Sequence, residues 1–199
     1  MSRQYCIRCQ RPLVTCVCEF TSTTDNRVEI LLLQHKSEEK QAKGTARLLA
    51  LSLQHCQVFV GENFSQDREL NALINEPGYQ TCLLYPGKNS EVVQPRPDET
   101  LTKLRLVVLD GTWKKAYKML QLSTNLHDLP QLTLPQQFTS NYHIRKHHDP
   151  RGLSTLESTV HALGILENNP DTYRGILSGF KQFNDFQLRL AHTNRVNNK

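Results

Sequence analysis

Residues 104–110 read LRLVVLD, a leucine and valine run interrupted only by Arg105 and closed by Gly111. A short apolar run bounded by Lys103 and a glycine reads as a buried strand of an α/β sheet. The next stretch, TWKKAYKML, sets Trp113, Ala116, Tyr117 and Leu120 at helical spacing. Asp110 and Gly111 therefore fall at a strand-to-helix turn at the carboxyl end of a strand, where open α/β sheets bind ligands. The pentapeptide LDGTW alone fits a second account as well: Asp110 or Thr112 caps the helix and Trp113 fills core.

The rest of the chain repeats the strand-helix alternation. RVEILLLQH (27–35), CQVFV (56–60) and YQTCLLYP (79–86) are predicted strands, and GTARLLALSLQH (44–55) and SQDRELNALI (65–74) predicted helices, the latter with Ser65 or Asp67 near its start. Residues 88–102 are polar and proline-bearing and predict a long surface loop. A further strand is expected near LPQLTL (129–134). LSTLESTVHALGILE begins a helix in which Ser154 and Glu157 have capping-box spacing. The last helix starts at Asn169-Pro170, with Ile176, Leu177, Phe180 and Phe183 as an apolar face packed on the sheet and a frayed tail from His192. The pattern predicts a parallel-sheet α/β fold. G-x-x-x-x-G-K-[ST], G-x-S-x-G and G-x-G-x-x-G are all absent from the sequence, which removes support for a P-loop, a hydrolase elbow and a dinucleotide fingerprint.

Four of the six cysteines fall in CIRCQRPLVTCVC, spaced Cys6-x2-Cys9-x6-Cys16-x-Cys18. A Cys-x2-Cys pair turns two thiolates toward one point, and a second pair one short loop later completes a tetrahedral Zn²⁺ site. Disulfides are the rival account; a reducing compartment disfavours them. With four cysteine ligands no coordination position stays open, so the zinc is structural. Residues 1–20 form a zinc-binding knuckle and 21–199 the main domain, and Arg3, Arg8 and Arg11 of the knuckle are placed to touch RNA backbone. Cys56 and Cys82 read as inert core thiols.

The 199 residues suffice for one well-buried domain. No apolar run reaches the ~18 residues of a membrane span, and the amino terminus lacks the apolar core of a signal peptide, so a cytoplasmic protein without membrane contact is expected. No obligate protein partner is evident in the sequence. Charge is unevenly placed: residues 1–100 carry 11 Lys/Arg against 12 Asp/Glu, and residues 101–199 carry 13 against 7. A basic half of that kind favours a polyanion such as nucleic acid.

The succession of a cysteine knuckle, GTARLL, LLYPG, LDGTWKKAYKM and IRKHHDPRGLSTLES resembles the DTW-domain family over almost the whole chain. Known bacterial members are tRNA-uridine aminocarboxypropyltransferases that use S-adenosylmethionine. The resemblance implies a SPOUT-like sheet whose knotted carboxyl-terminal part binds the cofactor. It implies transfer of the 3-amino-3-carboxypropyl group to N3 of a tRNA uridine, variable-loop position 47 being the expected target, with release of 5′-methylthioadenosine. Asp110 is the catalytic candidate, either as base or as holder of the N3–H group. By analogy with the family, Leu84, Tyr85, Pro86, Gly87, Leu109, Gly111, Thr112, Trp113, Leu153, Ser154 and Thr155 surround the cofactor. The basic run Arg145, Lys146, His147, His148 and Arg151 suits tRNA phosphates, as do Lys43, Arg47, Lys114 and Lys115. An S-adenosylmethionine-dependent RNA methyltransferase and a non-catalytic zinc-containing RNA-binding protein are the alternatives.

Overall fold

The computed structural model describes residues 4–39, 41, 44–136, 138 and 152–196, the last six by backbone alone. Its strands are β1 (Glu29–His35), β2 (Cys56–Gly61), β3 (Gln80–Leu84), β4 (Glu91–Val92), β5 (Leu104–Asp110) and β6 (Gln131–Thr133). The helices are α1 (Ala46–Ser52), α2 (Arg68–Ile74), α3 (Asp98–Leu101), α4 (Trp113–Leu122), α5 (Thr155–Leu166) and α6 (Arg174–Val196). The six strands form one sheet in the order β2-β1-β5-β3-β6-β4, and every pairing is parallel.

Strand alternation divides the core between the two faces of the sheet. Ile30, Leu32, Leu106 and Val108 pack with α1, α5, α6 and the cysteine-rich segment; Leu31, Leu33, Val107 and Leu109 pack with α2 and α4. All seven residues of β5 are buried, as its apolar run requires of a central strand covered on both sides. The buried Arg105 is the exception in that run. Its guanidinium pairs with Glu29 and Glu76, donates to the Leu73 carbonyl at 2.6 Å and lies 3.7 Å from the Tyr79 ring centroid, so its charge is fully engaged at the amino end of the sheet.

Residues 88–102 differ from the predicted long loop. They contain β4 and α3, anchored by the buried Val93 and Leu101, two apolar side chains too far apart to show a period. The last helix also differs. Pro170–Tyr173 is a 3-10 turn without a side-chain cap from Asn169, and α6 continues to Val196. Its buried Ile176, Phe180 and Phe183 pack toward α1, α5 and the turn at Cys18–Phe20. The fit there is close, since a Cβ on Gly179 would stand 2.0 Å from the Phe20 carbonyl oxygen.

The connections place a crevice. From β1 the chain passes through α1 to β2 on one side; from the adjacent β5 it passes through α4 to β6 on the other. Neighbouring strands whose connections diverge leave an opening at their carboxyl ends. Among the described residues no helix is long and apolar enough to cross a membrane.

Candidate active site and metal centre

Gln34 and Asp110 are register partners at the carboxyl ends of β1 and β5, at the point where those connections diverge. Both are buried, and Gln34 Nε2 donates to Asp110 Oδ2 at 2.9 Å. A buried carboxylate needs such a donor to offset its lost hydration. Asp110 thus belongs to the sheet rather than to the helix cap. Thr112 takes the cap, accepting from the Lys115 N–H, and a Cβ on Gly111 would stand 3.1 Å from Lys115 Cβ, so the turn uses glycine for close approach.

Beside this turn lies a cavity of about 440 Å³, within the ~300–1,000 Å³ of small-molecule sites. Leu84, Tyr85, Pro86, Leu109, Gly111, Trp113, Leu153 and Thr155 line it, all named from the sequence. Three others named there have different places. Thr112 is the helix cap, Ser154 is buried in its capping box with Glu157, and Gly87 lies against the Gln131 side chain. The wall missed in the sequence runs along Leu132, Thr133, Leu134, Pro135 and Gln136, then Phe138, which stacks on His161 of α5 at 4.3 Å. An apolar strand closed by Pro135 repeats the pattern of LLYP, and that was the available signal. Trp113 does not fill core: it is 57% exposed and meets Tyr85 edge-on, with ring centroids 6.4 Å apart.

On the α4 side of the same strand ends the charges are paired. Lys118 Nζ lies 2.9 Å and His35 Nε2 3.1 Å from Glu62 Oε1, and these hydrogen bonds hold the Glu62 carboxyl down at about 2. The Ser37 N–H donates to His35 Nδ1, which assigns the neutral ring's proton to Nε2, facing Glu62. Lys115, an expected RNA contact, is partly covered and pairs with Glu38 at 2.5 Å. Lys114 and Arg47 are exposed, Arg47 reaching Gln10 Oε1 at 3.0 Å. Lys43, Arg145, Lys146, His147, His148 and Arg151 lie outside the described residues.

The four amino-terminal cysteines converge. Cys6 and Cys18 sulfurs are 3.7 Å apart, as are those of Cys9 and Cys16, and all four lie within 4.8 Å of one another. A disulfide needs ~2.05 Å, whereas the edge of a tetrahedron with Zn–S of ~2.3 Å is ~3.8 Å. The set therefore fits a tetrahedral divalent cation. Backbone N–H groups of Cys9 and Arg8 bring the Cys6 thiol down to about 6, whereas burial and the neighbouring sulfurs push the Cys18 thiol up to about 12, so the four sulfurs share their protons unequally. Cys9, Val17 and Phe20 are buried in the same core as α6.

A family model described as DTW domain matches residues 3–188. The chain is 33% identical over 193 residues to the tRNA-uridine aminocarboxypropyltransferase 2 of Drosophila melanogaster, covering 94% of this chain and 76% of that one. It is 31% identical to the protein of that name from Macaca fascicularis and 32% to that from Mus musculus, spanning 64% of the length of each. No solved structure matches the chain.

Proposed function

The chain belongs to the DTW domain family, and we propose that it transfers the 3-amino-3-carboxypropyl group of S-adenosylmethionine to N3 of a uridine in tRNA, with variable-loop position 47 as the expected target. The observation that carries this is the buried Asp110, held by Gln34 and flanked in the chain by Leu109 and Gly111, which line a cavity of small-molecule size. The donor fits what lines that cavity: leucine side chains, the rings of Tyr85, Trp113 and Phe138, and the first turn of α5. When bound, it supplies a carbon activated by the sulfonium: the uridine N3–carbon bond forms as the carbon–sulfur bond breaks, 5′-methylthioadenosine leaves and N3 releases one proton.

The chain's own residues do the remaining work. Tyr85 and Trp113 offer aromatic faces to a purine or to positive charge. The first turn of α5, with Thr155 and Ser158 at the cavity, brings the positive end of a helix dipole toward a carboxylate. Asp110 accepts from N3–H and turns the attacking nitrogen toward the cavity, so orientation supplies much of the rate. Arg47 and Lys114 are exposed cations for tRNA phosphates.

We further propose a SPOUT-like, knotted carboxyl-terminal part, supported by the return of the chain from β6 to α5 at one cavity. One structural zinc on Cys6, Cys9, Cys16 and Cys18, in a knuckle of residues 1–20 beside a catalytic domain of residues 21–199, completes the proposal. Cytoplasmic thiols stay reduced, which suits those ligands. The test is mass spectrometry of tRNA incubated with the purified protein and S-adenosylmethionine. Aminocarboxypropyl-uridine together with 5′-methylthioadenosine is expected. A methylated nucleoside, or tRNA left unmodified, would overturn the assignment.

A further inference from the structure

The outward side of α4 breaks the pattern of an amphipathic helix. Ala116, Met119 and Leu120 are buried in the core and Lys114, Lys118 and Gln121 face solvent, yet Trp113 and Tyr117 are each 57% exposed. Four residues apart, the two aromatic side chains are neighbours on the helix surface, with Cβ atoms ~5–6 Å apart. A third ring completes the group. Tyr85, just past β3, meets Trp113 edge-on; burial, and after it the nearby Tyr117, raise the Tyr85 hydroxyl above its ordinary value. Tyr85 and Trp113 line the cavity, whereas Tyr117 stands outside it, one turn further along α4. Of the two outward lysines beside the rings, Lys118 is held 2.9 Å from Glu62, and Lys114 is exposed.

Resting on the transferase assignment, we propose that Trp113 and Tyr117 form a stacking platform for unpaired bases of the tRNA beside the target uridine. N3 carries the proton that a uridine gives to its partner in a base pair, so a uridine open to attack at N3 is an unpaired one. An unpaired segment can splay its bases out, and each then brings a ring face that an exposed aromatic side chain covers. The charge fits as well. RNA brings a phosphate with every base, and α4 carries three lysines and no carboxylate. The platform also reaches the site, since Trp113 lines the cavity and is still more than half exposed. A strand stacked from Tyr117 to Trp113 is thereby led to the mouth of the donor cavity. Stacking reads ring faces and not hydrogen-bonding edges, so the platform selects unpaired RNA and leaves sequence to other contacts.

Trp113 is the chain's only tryptophan, so its fluorescence reports on the platform without donor or turnover. The probe is a single-stranded RNA of about twelve nucleotides, titrated at one salt concentration beside the same strand annealed to its complement. The single strand should quench the tryptophan and bind at least about fivefold tighter than the duplex. Tyr117→Leu, at an exposed position outside the cavity, should weaken single-strand binding and raise the KM for tRNA by at least about fivefold, the low end of what one stacked base contributes; Tyr117→Phe should keep both within about twofold. Dissociation of S-adenosylmethionine should stay within about twofold in both variants. If a variant fails to fold, the wild-type comparison of single strand and duplex decides. Equal binding of the two RNAs, a Tyr117→Leu variant that binds RNA as wild type does, an equal loss in Tyr117→Phe, or a wild-type dimer that Tyr117→Leu makes monomeric would overturn the platform. A wild type that makes no aminocarboxypropyl-uridine refutes the transferase assignment itself, a result separate from the quenching.

Discussion

Gln34 and Asp110 face each other across two central strands, the amide of one donating to the carboxylate of the other at 2.9 Å. Asp110→Asn keeps the shape and an oxygen for Gln34 but loses the charge that accepts the N3 proton. Loss of an acid-base group costs typically ~10²–10⁴ in rate. A fall in kcat of that size is expected, with donor affinity within a few-fold; unchanged turnover would remove Asp110 from the chemistry.

The cysteine cluster predicts one zinc per chain by elemental analysis. Cys9→Ser replaces a buried sulfur and should release the metal. Structural zinc is worth ~10–16 kcal/mol in isolated finger peptides, so losing part of that lowers Tm by many degrees. A chelator should reproduce the drop in wild type and have little effect on the variant. A metal-free protein with unaltered Tm would contradict the assignment.

Glu62 predicts an acid limb. Its carboxyl is lowered from an ordinary 4.5 to about 2, first by the hydrogen bond from Lys118 and then by that from His35. A depressed carboxyl contributes stability that is complete above the unfolded value and is lost as pH falls through the folded one. Glu62→Gln should therefore lower the urea midpoint at neutral pH, and its deficit relative to wild type should shrink between about pH 4.5 and 2. A deficit independent of pH would mean that packing, not ionisation, sets the contribution.

Gly179 sets two effects against each other. Helix propensity alone favours Ala over Gly by ~1 kcal/mol. A Cβ there would stand 2.0 Å from backbone oxygen of Phe20, and overpacking costs ~1–3 kcal/mol. The contact should win by up to ~2 kcal/mol, so Gly179→Ala should lower Tm by up to ~8 °C while donor affinity is retained. A raised Tm would show that the helix and the cysteine-rich segment have room to separate.

What the sequence disclosed was what is local. LRLVVLD named its strand and the catalytic candidate at its end, Ser154 and Glu157 form the capping box their spacing predicts, and the cysteine intervals foretold one convergent cluster. What it withheld depends on which strands become neighbours. Gln34 ends an apolar run as Asp110 does, yet only the β1–β5 register joins them. The cavity wall from Leu132 to Phe138 follows a strand of three residues, too short for a period, whose place beside β3 is topological. Helical spacing put Trp113 on an apolar face but could not separate the wall of a cavity from the inside of a core.

The seat of the Cys18–Phe20 turn on α6 bears on the order of events during synthesis. Phe20 leaves the ribosome about 160 residues before Gly179, a delay of ~10–30 s at ~5–20 residues per second. Over that interval the cysteine-rich segment lacks α6, the helix that closes over Phe20. Its cysteines, by contrast, span thirteen residues and need nothing made later to come together. Metal capture can therefore come first and hold the early segment in shape until its late partner emerges.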